Sequence, residues 1–184
     1  MTYLPRAEAD HLLAALNALK AKLHAAAQQW ELLDANGHIP DAPSYTALLQ
    51  HALDAQDLSR EVLGLAADFA RSPHHTSSAS STVLRHLGTA ATMSSHAALH
   101  FAETAECALA LPRSAAPTDR RYLASRMVID HASARAYLRR TSESLRDAAK
   151  ELDNRLDFQG LLATLTRRGG PPAPPPPQPG GRPR

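Results

Sequence analysis

Four long amphipathic segments with a seven-residue apolar rhythm make up nearly all of this 184-residue chain before a proline-rich end. The rhythm is clearest in the first segment, where apolar residues alternate spacings of four and three and so share one side of a helix. These residues are Leu12, Leu16, Leu19, Leu23, Ala26, Trp30 and Leu33. Segments of this kind bury their apolar sides against one another, so we predict an all-α fold.

Composition favours helices over sheets. Aromatic residues form 4% of the chain and hydrophobic residues 43%, mostly alanine and leucine, which suit closely packed helices. A single cysteine, Cys107, excludes an intrachain disulfide and multi-cysteine metal centres. The sequence has no stretch of about 18 apolar residues and no apolar leader, so we expect a soluble, cytoplasmic protein without membrane insertion.

Start and stop signals divide the chain into four predicted helices. Proline suits a first helical turn, Asn36-Gly37 suits a helix end, and Pro73 cannot continue a helix. The predicted helices span about residues 5–34, 43–71, 81–111 and 118–156. Short connections favour an antiparallel up-down-up-down four-helix bundle over residues 1–168. Residues 169–184 are rich in Pro, Gly and Arg, and we predict a disordered tail there.

The second predicted helix is expected to bury a wide apolar side. Its central positions are Tyr45, Leu48, Ala52, Ala55, Val62, Ala66 and Phe69. Leu49, Leu53 and Leu63 lie beside these positions, and we expect them to widen the buried stripe.

The third predicted helix carries a stripe of potential metal ligands. His96, His100, Glu103 and Cys107 follow spacings of four, three and four, and their side chains are of the types that bind Zn or Cu. At about 100° per residue the stripe lies roughly 170° from the apolar seam of this helix, so we predict that it faces away from the core. This seam comprises Leu84, Leu87, Ala91, Ser94, Ala98, Phe101, Ala105 and Ala108. A metal would then need His96 and His100 from two protomers around a two-fold axis. The simpler interpretation is a solvated or interface-facing polar stripe, and we predict no cofactor.

One carboxylate is predicted to point inward. Asp130 lies between the core positions Met127 and Ala134 of the fourth helix, where an unpaired carboxylate would be costly. Arg126, four residues earlier, or a histidine from another helix could pair with it. We interpret such a pair as structural rather than catalytic.

Charge is distributed unevenly along the chain. Residues 1–112 contain 6 Lys and Arg against 11 Asp and Glu, whereas residues 113–184 contain 14 against 7. The fourth helix has a basic outer face and the second an acidic one, and these can bind partners or pair between copies of the chain. The basic face comprises Arg121, Arg135, Arg139, Arg146 and Lys150, and the acidic face comprises Asp54, Asp57, Glu61 and Asp68.

No motif for nucleophilic catalysis, phosphate binding or nucleotide binding is present, and no small-molecule substrate is indicated. We therefore predict a non-enzymatic helical interaction or scaffold protein that self-associates through its charged faces. One alternative is a nucleic-acid-binding accessory protein that uses the basic face of the fourth helix. Another is a metal-binding helical protein with the inter-subunit histidine site.

Overall fold

A computed structural model describes the backbone of residues 6–34, 36–40, 43–72 and 78–168, and the side chains of these ranges except 78, 79, 159 and 161–168. Every regular element in these ranges is helical, which confirms the all-α prediction. The elements are α1 (Arg6–Gln29), α2 (Tyr45–Arg71), α3 (Ser78–Ala110), a short 3-10 turn (Leu111–Arg113) and α4 (Pro117–Arg168). The predicted tail, residues 169–184, lies outside the described residues.

The end of α1 differs from the prediction. The helix stops at Gln29, although the apolar spacing continues to Leu33. The carboxylate of Asp34 accepts a bond from the backbone amide of His38 at 2.9 Å, and Gly37 adopts a positive φ of 78°. A side chain that captures backbone donors offers the chain an alternative to helix, so the segment turns despite its helical periodicity.

The fourth helix is longer than predicted. It runs to Arg168, whereas the sequence indicated an end between Asn154 and Gly160. Gly160 lies within the helix, because one glycine costs only about 1 kcal/mol relative to alanine and does not by itself end a helix. Leu161, Leu162 and Leu165, which follow it, therefore belong to α4.

The helices pack as a series in which α3 contacts α2 and α4, and α4 also contacts α1. α1 and α2 meet over a much smaller area. Their contacts include an ion pair of Lys22 with Glu61 and stacking of Trp30 on His51. Trp30, just after α1, contacts an earlier residue of α2 than Lys22 does, which is consistent with antiparallel neighbours.

The core consists mainly of the heptad positions predicted for α1, α3 and α4. Leu16, Leu23, Leu87, Phe101 and Leu145 are all fully buried. Each leucine or phenylalanine side chain removed from water contributes about 1.5–3 kcal/mol. The apolar residues from which the helices were predicted are therefore also residues whose burial stabilises the fold.

The buried stripe of α2 is narrower than predicted. Leu49, Leu53 and Leu63 are 36%, 52% and 49% exposed, and Tyr45 is 37% exposed. The prediction for these residues was wrong because α2 packs closely only against α3, and its contact with α1 is small. One close neighbour covers a limited arc of a helix, so the flanking leucines remain in solvent.

The third helix has two buried sides because it lies between α2 and α4. Its predicted seam is buried, and a second row of residues at seven-residue spacing is buried as well. This second row comprises Val83, Ala90, Ala97 and Thr104.

Across the described ranges, no helix has an apolar stretch long enough to cross a membrane.

Candidate functional site

The polar stripe of α3 packs against α4, so the prediction that it faces away from the core was wrong for Cys107 and for half-buried His100 and Glu103, whereas His96 is exposed as predicted. Cys107 is only 4% exposed, and the side chains of His100 and Glu103 are 25% and 29% exposed. The apolar spacing of this helix indicated a single buried side. Because α4 covers the opposite side, a stripe about 170° from the first seam lies at the second interface.

Four side chains of α3 and α4 form a connected group, which we term the α3/α4 polar cluster: His100, Glu103, Arg126 and Asp130. His100 Nδ1 lies 3.0 Å from Glu103 Oε2 and 3.3 Å from Asp130 Oδ1. Arg126 Nε donates to Asp130 Oδ2 at 3.4 Å, and Arg126 Nη2 lies 4.0 Å from Glu103 Oε1. Both partners expected for Asp130, the neighbouring arginine and a histidine from another helix, are confirmed.

The two histidines suggested as metal ligands have different surroundings. His96 is exposed and its ring lies 5.2 Å from that of Tyr137. The ring of His100 lies nearly parallel to Tyr137, with centroids 5.5 Å apart, and its Nδ1 also meets the carboxylates. The structure therefore groups His100 with Glu103 and Asp130 of the same chain, whereas His96 only stacks beside this group.

Cys107 is the one thiol of the chain, and its surroundings keep it protonated. Burial raises the pKa of Cys107, and although Arg126 opposes this shift, nearby Asp130 and other carboxylates reinforce it. The thiolate, not the thiol, is the reactive form. Cys107 is therefore poorly suited to act as a nucleophile.

A second group, which sequence reasoning missed, joins one residue each of α2, α3 and α4 with the residue after α1. The rings of Trp30, His51, Phe101 and His131 contact one another, with Trp30 stacked on His51 at 5.0 Å. A sequence signal for His131 exists, because it precedes the buried Leu138 by seven residues. That spacing marks a second buried row on α4.

His131 is buried without a polar partner for one ring nitrogen. It is 3% exposed, and its Nε2 makes no hydrogen bond. Burial, followed by the proximity of His51 and Arg135, lowers the pKa of His131 to about 4. The ring lines a cavity of about 360 Å³ together with Glu31 and Arg135. At neutral pH this imidazole is uncharged.

The predicted basic face of α4 contains one residue that is not on the outer surface. Arg135 is half-buried, and its Nε donates to the backbone carbonyl of Ala27 at 2.8 Å. This carbonyl lies in the last turn of α1, where helix carbonyls lack intrahelical partners. The other four members are exposed: Arg121, Arg139, Arg146 and Lys150.

The acidic residues of α2 already have partners within the chain. Asp57 pairs with Arg60 at 2.6 Å, and Glu61 pairs with Lys22 at 2.8 Å. Asp68 pairs with Arg71, and half-buried Asp54 accepts a hydrogen bond from Gln50.

The exposed basic residues of α4 have fewer ion-pair partners than the acidic residues of α2. Arg146 pairs with the adjacent Asp147 at 3.2 Å. For Arg121, Arg139 and Lys150, no ion pair forms with any residue that the structure describes. The outer face of α4 is therefore less neutralised than that of α2.

Comparison with known proteins provides no assignment. No protein-family model matches the chain, and no curated protein or solved structure matches it.

Proposed function

We propose that this protein is a non-enzymatic interaction protein, in which an antiparallel up-down-up-down helical bundle presents the basic face of α4 to an acidic protein surface. The observation that carries the proposal is the exposed set Arg121, Arg139, Arg146 and Lys150, of which Arg146 alone has an ion-pair partner among the described residues. Unmatched charge of one sign attracts and orients a partner of the opposite sign.

Contacts between α4 and its neighbours support the bundle arrangement. Arg155 donates to the hydroxyl of Ser80 near the start of α3, whereas His131 contacts Phe101 near the other end of that helix. Ser142 donates to the backbone carbonyl of Lys20 in α1 at 3.1 Å. Together with the Arg135 bond to α1, these contacts support antiparallel directions for α4 relative to both neighbours.

A second copy of the chain is one acidic partner that this proposal includes. The carboxylates of α2 are paired within the chain, but exposed ion pairs contribute only about 0–1 kcal/mol each. They can therefore be exchanged for pairs with α4 of another molecule at little cost. Self-association of this kind would weaken as salt increases.

Two properties of the site support a role in binding rather than catalysis. The thiol of Cys107 is buried and its pKa is raised, which disfavours nucleophilic chemistry. Asp130 is held by both Arg126 and His100, as expected for a structural pair. A buried free thiol also suits a reducing compartment, so the proposal places the protein in the cytoplasm.

Nucleic acid is the second candidate partner for the same face. Tyr122 is 64% exposed and directly follows Arg121 in α4, so its ring lies about 100° around the helix from Arg121, beside the basic face. Proteins that bind single strands combine basic side chains with aromatic rings on which bases stack. This exposed ring is the observation that favours the nucleic-acid candidate.

The proposal can be tested by fluorescence anisotropy with two labelled probes, poly-L-glutamate and a single-stranded DNA oligonucleotide. The test variant replaces Arg121, Arg139 and Arg146 by Glu. The control variant replaces three exposed arginines of α2 and α3 by Glu and so has the same net charge: Arg60, Arg71 and Arg85. We expect wild type and the control to bind poly-L-glutamate at low salt and the test variant to bind at least tenfold more weakly.

The outcomes separate the candidates. Preference for DNA over poly-L-glutamate, lost in the test variant and retained in the control, would favour the nucleic-acid role. Equal loss in both variants would show that net charge, not the face of α4, determines binding. A wild type that binds neither probe and sediments as a monomer at low salt would end the proposal.

A further inference from the structure

The α3/α4 polar cluster brings three metal-ligating atoms together within one chain. His100 Nδ1 and one carboxylate oxygen each from Glu103 and Asp130 all lie within 4.8 Å of one another. Two of the ligands lie one turn apart on α3, and the third comes from α4. Among the residues that the structure describes, no other group of three His, Cys, Asp or Glu side chains meets this condition.

The distances within this group suit a small divalent ion. Zn²⁺ binds His nitrogen and carboxylate oxygen at about 2.0–2.2 Å, so adjacent ligand atoms around a tetrahedral ion are about 3.3–3.6 Å apart. His100 Nδ1 lies 3.3 Å from the Asp130 oxygen and 3.0 Å from the Glu103 oxygen. The two distances from His100 are therefore within a few tenths of an ångström of coordination geometry. The carboxylate oxygens of Glu103 and Asp130, which lie within 4.8 Å of each other, would approach by up to about 1.5 Å as the ion binds.

The surroundings would orient the ligands and leave room for water. Asp130 is 11% exposed at its side chain, whereas His100 and Glu103 are 25% and 29% exposed and lie at the rim. Stacking on Tyr137 fixes the plane of the His100 ring. One imidazole and two carboxylates are ligands that Zn²⁺ accepts, with water completing the coordination.

Arg126 already provides one positive charge to this group. With a neutral His100, the two carboxylates carry two negative charges, and the guanidinium balances one of them. The Arg126 side chain is 45% exposed, so its guanidinium can turn toward solvent while a cation enters. Arg126 would then lower the affinity of the site for a cation without blocking it.

We propose that His100, Glu103 and Asp130 bind one divalent transition-metal ion of the Zn²⁺ type per chain, in competition with Arg126. This site is independent of the interaction role proposed for the outer face of α4. It also differs from an inter-subunit site built on His96 and His100, because it requires a single chain and does not use His96.

The experiment uses full-length protein without a His tag, stripped of metal and titrated with Zn²⁺ by calorimetry. Co²⁺ absorption reports the ligand geometry. We expect one ion per chain, at least tenfold weaker binding in His100→Gln and Asp130→Asn, and binding within twofold of wild type in the control His96→Gln. Arg126→Gln should bind Zn²⁺ severalfold more tightly, because the competing charge is gone.

Several results would overturn the proposal. These are the absence of Zn²⁺ binding, a stoichiometry of one ion per two chains, or equal loss in His96→Gln and His100→Gln. Circular dichroism checks that each variant is folded. If Asp130→Asn or His100→Gln unfolds, Glu103→Gln at the rim serves as the replacement, and wild-type affinity in that variant would also overturn the proposal.

Discussion

The uncharged imidazole of His131 couples the stability of the protein to pH. Its pKa falls from 6.5 to about 4 in the folded chain, mainly through burial. Between these values the unfolded chain binds a proton at His131 and the folded chain does not, so the free energy of unfolding decreases as pH falls through this window. The contribution of His131 to stability is fully present above pH 6.5. A shift of this size corresponds to about 3 kcal/mol lost by pH 4.

We therefore expect urea unfolding of wild type at a series of pH values to show a marked loss of stability between pH 6.5 and pH 4. Burial also lowers the pKa of His51, which adds to the loss in the same direction. His131→Leu should make the dependence shallower, whereas the exposed control His11→Gln should retain the wild-type slope. Parallel curves for His131→Leu and wild type would contradict the assignment.

Arg135 was predicted to lie on the basic outer face of α4, but in the structure it forms a contact that links α4 to α1. Its guanidinium bonds the Ala27 carbonyl at the end of α1, and a hydrogen bond to a charged group contributes about 1.5–3 kcal/mol. Because Arg135 is only half-buried, we expect Arg135→Met to lower the free energy of unfolding by about 1–2 kcal/mol. The exposed control Arg139→Met should change it by less than about 0.5 kcal/mol. Chemical denaturation of the two variants provides the comparison, and equal effects would contradict this role.

Asp130 was predictable and the His100 contact was only partly so, for a physical reason. A carboxylate among core positions requires a partner, so its helical position alone indicated Arg126 or a histidine. Which histidine contacts Asp130 depends on how α3 is aligned along α4, and no local sequence pattern determines that alignment. The grouping of His100 with Glu103 and Asp130 therefore emerged only from the packed structure.

Heptad spacing predicted where the helices lie but not how many of their sides are covered. α1, α3 and α4 bury most of their predicted seams, with Leu33 beyond the end of α1 exposed, whereas α2 leaves Leu53 and Leu63 exposed. In α3, alanine and threonine form the second buried row, and small residues give a weak apolar signal. Predictions from the sequence therefore underestimated burial in α3, where side chains are small, and overestimated it in α2, where leucines flank the contact with α3.

Small residues form most of the second buried row of α3, where neighbouring helices pack against it. Ala97 is fully buried in this row, and added methyl groups in a packed interface force neighbours apart. We expect Ala97→Leu to lower the free energy of unfolding by about 1–3 kcal/mol. Ala102→Leu, on the exposed side of the same helix, should change it by less than about 0.5 kcal/mol. Thermal and urea denaturation would measure both, and a neutral Ala97→Leu would mean that this interface has spare volume.

The helices contact one another in the order α2, α3, α4 and α1, with little direct contact between α1 and α2. α3 therefore lies inside the series, while α1 depends mainly on α4. Detaching α1 would expose one principal interface, whereas detaching α3 would expose two. Local openings in proteins start where the fewest buried contacts must be broken. The helix contacts thus predict unequal stability along the chain.

Native-state hydrogen exchange should reveal this inequality. We expect amides of α1 around Leu16 and Leu23 to exchange through a partial opening, at a lower free energy than amides of α3 around Phe101, which should require global unfolding. Leu87→Ala in α3 removes a fully buried side chain and should lower the free energy of global unfolding by about 2–5 kcal/mol. The exchange of α1 should remain unchanged in this variant, because α3 stays packed while α1 opens. If Leu87→Ala accelerates exchange in α1 and α3 alike, the four helices unfold as one cooperative unit, and the series of contacts does not determine the order in which they open.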